Sequence, residues 1–300
     1  MRCLSKITLI VFLIVLGIAC KEKSTSDSAS NSIVKKKTYL KVDEIPVSWI
    51  DNRVKAAKRR LMTSKAGQVI WNAMEAHGGL RNWYSKGALA FRFNYQPLDG
   101  STQRDSYQII DVWRNRAVHY STKDSTATFG WTGTESWLKA KDSTVFDYDT
   151  KFWALTPLYL MGFPFVLDGE GVNLELLPPS NYLGKKNEVV KITFDAETGD
   201  APDDYYILHF NAETKQLIGT RYIVSYPEYF DKGEHSPEKF MEVGRLVSVD
   251  GILLPRQLKT HWAVNGLPEE YLTLIEISDY EFKGWLSVGF FDVPEGAKKL

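Results

Sequence analysis

KFWALTPLYLMGFPFVLDG, residues 151–169, is the stretch on which the reading of this chain turns. It is apolar on nearly every side, and between its ends it carries one charge, Asp168. A strand with one wet face alternates instead. Residues 152–161 are expected to turn as a short helix that Gly162 and Pro164 end. Such a helix either plugs one end of a β-sheet core or lies as a flap over an apolar pocket. In the second case Trp153, Leu155, Leu158, Tyr159, Met161, Phe163 and Phe165 touch the ligand.

On both sides of this stretch the period changes to 2. Leu89, Phe91, Phe93 and Tyr95 alternate with Ala90, Arg92 and Asn94, and further runs lie at 107–113, 117–122, 127–131 and 137–145. Beyond residue 169, Val172, Leu174 and Leu176 alternate with Asn173 and Glu175, and Val190, Ile192 and Phe194 with Val189, Lys191 and Thr193. Runs at 205–210 and 217–226 flank a hairpin at 211–215. Asp250-Gly251 separates 241–249 from 252–254, and Asn265-Gly266 separates 258–264 from 271–277. Both dipeptides favour the positive φ angles of a two-residue turn. About eleven antiparallel strands in succession are too many for a flat open sheet. The expected fold is mainly β (α+β): a single curled antiparallel sheet forming an incomplete barrel, covered by helices, one domain over residues 46–300.

Two helices precede the strands. Ser48 and Asp51 have the spacing of a capping box, with a basic helix following to about Met62. Ser64 opens a second helix in which Val69, Ile70, Ala73, Met74 and His77 share one face, and Gly78 supplies its left-handed stop. His77 then sits at the negative end of that helix, where a cation is favoured.

The order of these elements, together with the HGG after the second helix, the GD-x-PDD-YY run at 199–206 and the VDGILLP hairpin at 249–255, resembles an uncharacterised family of Bacteroidota envelope lipoproteins. That family is similar to the LolA and LolB carriers of lipoproteins. The resemblance spans residues 69–296 and implies a LolA-like β half-barrel whose concave apolar face, closed by helices, holds acyl chains. A sheet that curls without shutting needs such an apolar cover on physical grounds as well.

Residues 1–19 read as a lipoprotein signal peptide: Arg2 and Lys6 ahead of an apolar run at 7–16, then Gly17-Ile18-Ala19 before Cys20. The run is short for a bilayer span. Cys20 in that place resembles a lipobox cysteine, the lipidation site and new N-terminus. Residues 20–45, rich in Ser, Lys and Asp, read as a flexible tether. The expected location is the cell envelope, lipid-anchored at the outer membrane and facing either the periplasm or the surface. Cys3 and Cys20 are the only cysteines, so the mature chain forms no internal disulfide and keeps no thiol for catalysis.

With 300 residues, 44% of them hydrophobic, the chain can bury a sizeable core. Without Arg2 and Lys6 the 37 basic side chains become 35 against 37 acidic ones, a net charge of −2. That balance offers nothing to nucleic acid. No GxSxG, HExxH, GxxxxGK[ST] or GxGxxG motif occurs. His119, His209 and His261 fall in expected strands, where single histidines are usually packed or surface residues rather than metal ligands. Asp200, Asp203 and Asp204 form a compact carboxylate cluster, read as a solvated turn or as an acid/base pair acting on a glycan. Trp113, Trp131, Trp137, Trp153 and Trp262 either fill a β core or line a sugar cleft. The expected protein is a monomer without cofactor or metal that binds an acyl chain, a lipid or a lipidated partner and does no covalent chemistry. A filled structural or interaction module and an envelope glycan hydrolase are the alternatives.

Overall fold

The computed structural model describes residues 45–300 except Leu183, Glu197 and Asp200. The signal peptide, Cys20 and nearly all of the tether lie outside the described residues. Helix α1 (Val47–Leu61) starts earlier than the sequence implies: the carbonyl of Pro46 already accepts from the N–H groups of Trp49 and Ile50 at 2.8 and 3.2 Å. Ser48 therefore lies inside the first turn and makes no cap. Helix α2 (Lys65–Ala76) starts as expected, with Ser64 Oγ accepting from the Gly67 N–H at 3.0 Å. Gly67 lets α1 and α2 approach, since a Cβ there would stand 1.9 Å from the Leu61 carbonyl oxygen. A short helix α3 (Leu80–Ser85) follows Gly78 and Gly79, both at positive φ.

His77 corrects its expectation. Its ring is 1% exposed, lies 3.2 Å from the Leu253 carbonyl through Nδ1, and accepts from the Leu217 N–H through Nε2 at 3.1 Å. One nitrogen donates and the other accepts, so the imidazole is neutral, and burial lowers its pKa. It joins α2 to two C-terminal strands rather than neutralising a helix end.

The strands are β1 (Ala88–Pro97), β2 (Arg104–Asp111), β3 (Arg116–Ser121), β4 (Thr128–Trp131), β5 (Ser136–Lys139), β6 (Val172–Tyr182), β7 (Lys185–Phe194), β8 (Tyr206–Asn211), β9 (Leu217–Tyr222), β10 (Lys239–Val243), β11 (Leu246–Val249), β12 (Ile252–Pro255), β13 (Gln257–Val264), β14 (Leu267–Lys283) and β15 (Lys298–Lys299). Thirteen of them form one sheet, more than the sequence implies, in the order β15-β5-β4-β3-β2-β1-β14-β13-β10-β9-β8-β7-β6. Strands β11 and β12 form a separate hairpin. The antiparallel β1–β14 pair, with Phe93 opposite Ile277, joins the N-terminal meander to the C-terminal one. The end strands β15 and β6 do not pair with each other, so the sheet curls without closing. Edge strand β6 carries Pro178 and Pro179 where its register shifts, which blunts it against further pairing.

Both expected hairpin turns form: Asp250 and Gly251 have φ of 48° and 85°, and Asn265 and Gly266 have 51° and 76°. On the inner face of the sheet Leu89, Phe91, Ile110, Leu208 and Phe210 pack with Ile70 and Met74 of α2 and Trp83 of α3 in one core. Trp83 stacks on Phe165 with ring centroids 4.8 Å apart and planes 8° from parallel. On the outer face Phe291 of the C-terminal segment covers Ala88, Val118 and Trp137.

Candidate functional site

Residues 150–167 form two short helices, α4 (Thr150–Trp153) and α5 (Thr156–Gly162), and a final tight turn, Phe165–Leu167. Asp149 caps α4 by accepting from the N–H groups of Lys151 and Phe152 at 2.9 and 3.1 Å. The segment is fastened at both ends. Near its start, His119 Nε2 lies 2.9 Å from the Ala154 carbonyl, with the ring stacked on Phe129 and Nδ1 3.3 Å from Ser106 Oγ. At its end, Arg53 of α1 grips Asp168 through Nε and Nη2 at 2.7 and 3.0 Å, and Arg60 Nη2 donates to the Leu167 carbonyl at 3.1 Å.

The seven candidate ligand-binding residues divide. Trp153, Leu158, Met161, Phe163 and Phe165 are all buried in the main core. The ring of Phe163 lies 5.3 Å from that of Tyr206. Trp153 lies against Tyr95 at 4.9 Å, and Leu155 and Tyr159 are half-buried.

Trp153 and Tyr159 approach a tier of inner-face residues that continues the core but mixes polar side chains with apolar ones. Cross-strand partners place Tyr206, Tyr222, Lys239 and Trp262 in one row over β8, β9, β10 and β13. The next row holds Leu208, Thr220, Met241, Thr260 and Thr273. Thr273 Oγ1 donates to the Tyr95 hydroxyl at 3.2 Å. Arg104, opposite Tyr95, lays its guanidinium over Tyr95 at 4.9 Å and Trp153 at 4.8 Å.

Burial drives the phenol pKa values of Tyr206 and Tyr222 well up. Yet Tyr95, Tyr159, Tyr206, Tyr222 and Trp262 each keep accessible surface. Tyr95, Tyr206 and Tyr222 also pack against the main core. Polar atoms without partners mark the same tier: the buried Nε of Arg104 and Oγ1 of Thr220 make no hydrogen bond. Lys239 has its pKa lowered by burial and then by the charge of Arg104.

Two clefts open elsewhere. One, of about 370 Å³, is lined by Arg92, Asn94, Arg245, Arg256 and Glu276, and its neighbour, of about 470 Å³, lies between the β11–β12 hairpin and residues 277–280. Neither includes a residue of the 150–169 stretch.

The remaining candidates do not converge on one place. His209 Nδ1 lies 3.0 Å from Ser180 Oγ, and His261 lies 3.4 Å from Glu242, so the three strand histidines face different partners. No group of three His, Cys, Asp or Glu side chains suited to a metal occurs among the described residues. Asp204 accepts from the N–H and hydroxyl of Ser225 at 2.6 and 2.8 Å, and burial raises its pKa. Asp203 is exposed, and Asp200 lies outside the described residues. Trp113 packs on Tyr84 and Trp137 sits on the outer face, so the tryptophans line no single cleft.

Sequence reasoning misses Arg104 and Lys239 because the expected strands begin at 107 and 241. Both strands begin two or three residues earlier, and both cations stand at the inward parity of their strand. Charge at an inward position was the available signal.

The sequence matches no family model and no curated protein. Solved structures do match. One is a LolA superfamily protein from Nitrosomonas europaea, 9% identical, covering 77% of this chain and 98% of its own, with a TM-score of 0.49. A domain from Vibrio parahaemolyticus provisionally assigned as an outer membrane lipoprotein-sorting protein is 9% identical over 81% of this chain and 97% of its own, with a TM-score of 0.47. A DUF1329 family protein from Desulfovibrio piger is 12% identical over the same shares, with a TM-score of 0.43. The curled, unclosed sheet with helices against its inner face is read from the strand order and the core of this chain itself.

Proposed function

We propose that this protein binds an apolar ligand, an acyl chain of a lipid or of a lipidated partner, and that the ligand occupies a hollow between the inner face of the sheet and the 150–167 segment. The observation that carries this reading is the accessible surface retained by Tyr95, Tyr159, Tyr206 and Tyr222 inside the curl. Burying a chain there stabilises the complex by about 0.8 kcal/mol per methylene, with no covalent step. The segment serves as a fixed wall, since His119 and Arg53 fasten it, and Trp153, Leu155, Tyr159 and Phe163 are its ligand-facing residues. In this reading residues 1–19 direct export, Cys20 carries the lipid anchor, residues 20–45 are the tether, and the protein works as a monomer at the outer membrane. The printed names of the similar structures, a LolA superfamily protein and a lipoprotein-sorting domain, accord with a place in the envelope.

Packing around Phe165 and Trp83 favours a second reading, a solid interaction module, and one experiment separates the two. The full chain carrying Cys20→Ser, purified without detergent, is analysed by native mass spectrometry. A copurifying lipid that is lost in Trp153→Ala supports the binding reading. A bare mass after incubation with phospholipid and with fatty acid leaves the solid module.

A further inference from the structure

Four partly buried arginines elsewhere in the molecule have carboxylate partners: Arg53 with Asp168, Arg92 with Asp105, Arg116 with Asp111 and Arg221 with Glu238, all within 2.9 Å. Arg104 and Lys239, the two cations of the hollow, have none within ion-pair distance among the described residues. Glu238 and Glu242, beside Lys239 in sequence, are engaged by Arg221 and by Tyr182 and His261. Asp204, whose charge reaches Lys239, is held by Ser225.

Strands β2 and β10 are separated by β1, β14 and β13, so on a flat sheet the two side chains would start roughly 19 Å apart. The curl turns both inward, and Arg104 acts electrostatically on Lys239. Arg104 rests its flat face on Trp153 and Tyr95 and leaves Nε buried with no acceptor. A stacked guanidinium keeps its edge, the N–H fork, for a planar or tetrahedral oxyanion. Lys239 stands 5.6 Å over the ring of Trp262 and offers a second point charge. Two half-buried like charges without a carboxylate partner repel each other, and an anion between them offsets that repulsion and gives the buried Arg104 Nε an acceptor.

Taking the hollow as the ligand site, we infer that Arg104 and Lys239 hold the anionic head of the ligand, a carboxylate or phosphate oxyanion at the end of the apolar chain. The chain then runs beneath Trp153 and Tyr159 toward Phe163.

The test compares ligands with the same tail and different heads on the full chain carrying Cys20→Ser. Affinities for oleate, 1-oleoyl lysophosphatidate and oleyl alcohol are measured by competition against a fluorescent fatty acid, with inorganic phosphate as the headgroup alone. At least one acidic amphiphile is expected to bind about tenfold or more tightly than the alcohol. Arg104→Gln and Lys239→Met, made separately, are each expected to shrink that preference severalfold while affinity for the alcohol holds. Arg256→Gln, in the outer cleft, is expected to leave the preference intact. Equal binding of acid and alcohol by the parent protein, or a preference unmoved in both hollow variants, overturns this inference and leaves the chain-binding reading standing. Failure of all three amphiphiles to bind overturns both. Phosphate alone competing as well as the lysophosphatidate overturns the placement of head and tail in one site.

Discussion

One inner face has two ends built to opposite specifications. Strand β1 runs from Leu89, fully buried against Trp83 and α2, to Tyr95, half-buried beside Trp153 and Arg104. Helices α2 and α3 cover the first end with Ile70, Met74 and Trp83, and Phe165 completes it. At the second end Tyr95, Tyr206, Tyr222, Arg104 and Lys239 are half-buried inward positions beside the buried Leu208 and Met241. The sheet curls throughout, so side-chain choice and helix cover, rather than backbone course, decide which end is apolar core and which is half-buried and polar.

Truncation should expose that contrast most strongly. Phe165→Ala removes a ring that is 0% exposed and is expected to cost about 3–5 kcal/mol in chemical denaturation. Trp153→Ala, bordering the hollow, is expected to cost clearly less and to weaken ligand binding instead. Equal losses at the two positions would erase the distinction between packed and open ends.

Acid should act next, through the histidine that ties the segment to the sheet. Burial lowers the His119 pKa to about 4, against about 6.5 in an unfolded chain. As pH falls the unfolded state takes the proton first. The stability fully present above about pH 6.5 is therefore lost progressively down to about pH 4, by at most roughly 3 kcal/mol. His209, lowered to about 4 by burial, acts in the same direction. Thermal unfolding of His119→Asn is expected to show a lower Tm at pH 7, because the Ala154 carbonyl loses its partner, and a shallower decline toward pH 4.5. An unchanged decline would remove His119 from the linkage.

The smallest expected effect lies in the open end itself. Thr220→Val replaces a buried hydroxyl that has no hydrogen bond with a group of the same shape. Its denaturation midpoint should be unchanged or slightly higher, within about 1 kcal/mol. A loss of 2 kcal/mol or more would mean that the hydroxyl is satisfied and the tier is packed.

Much of the fold was legible in local chemistry. Asp250-Gly251 and Asn265-Gly266 demand positive φ and turn where expected, and the period-2 runs around Phe91 and Ile192 are strands. Non-local choices were not legible. Nothing near Phe93 names Ile277 as its partner across the seam, and nothing in 249–255 says that this hairpin leaves the main sheet. The chemistry of His77 depends on Leu217 and Leu253, far away in the chain, so its helix-end position misled. For the site, the apolar stretch announced itself, but its partners did not. Arg104 and Lys239 are ordinary surface residues by type, and only the curl makes them interior ones.

The most direct test of an apolar site in the open end is anomalous diffraction from a bromine-labelled fatty acid diffused into crystals of the Cys20→Ser chain. The expected result is bromine density within the tier bounded by Trp153, Tyr206 and Tyr222. Density confined to the outer cleft near Arg256, or tyrosine rings packed against protein with no room for a chain, would contradict it.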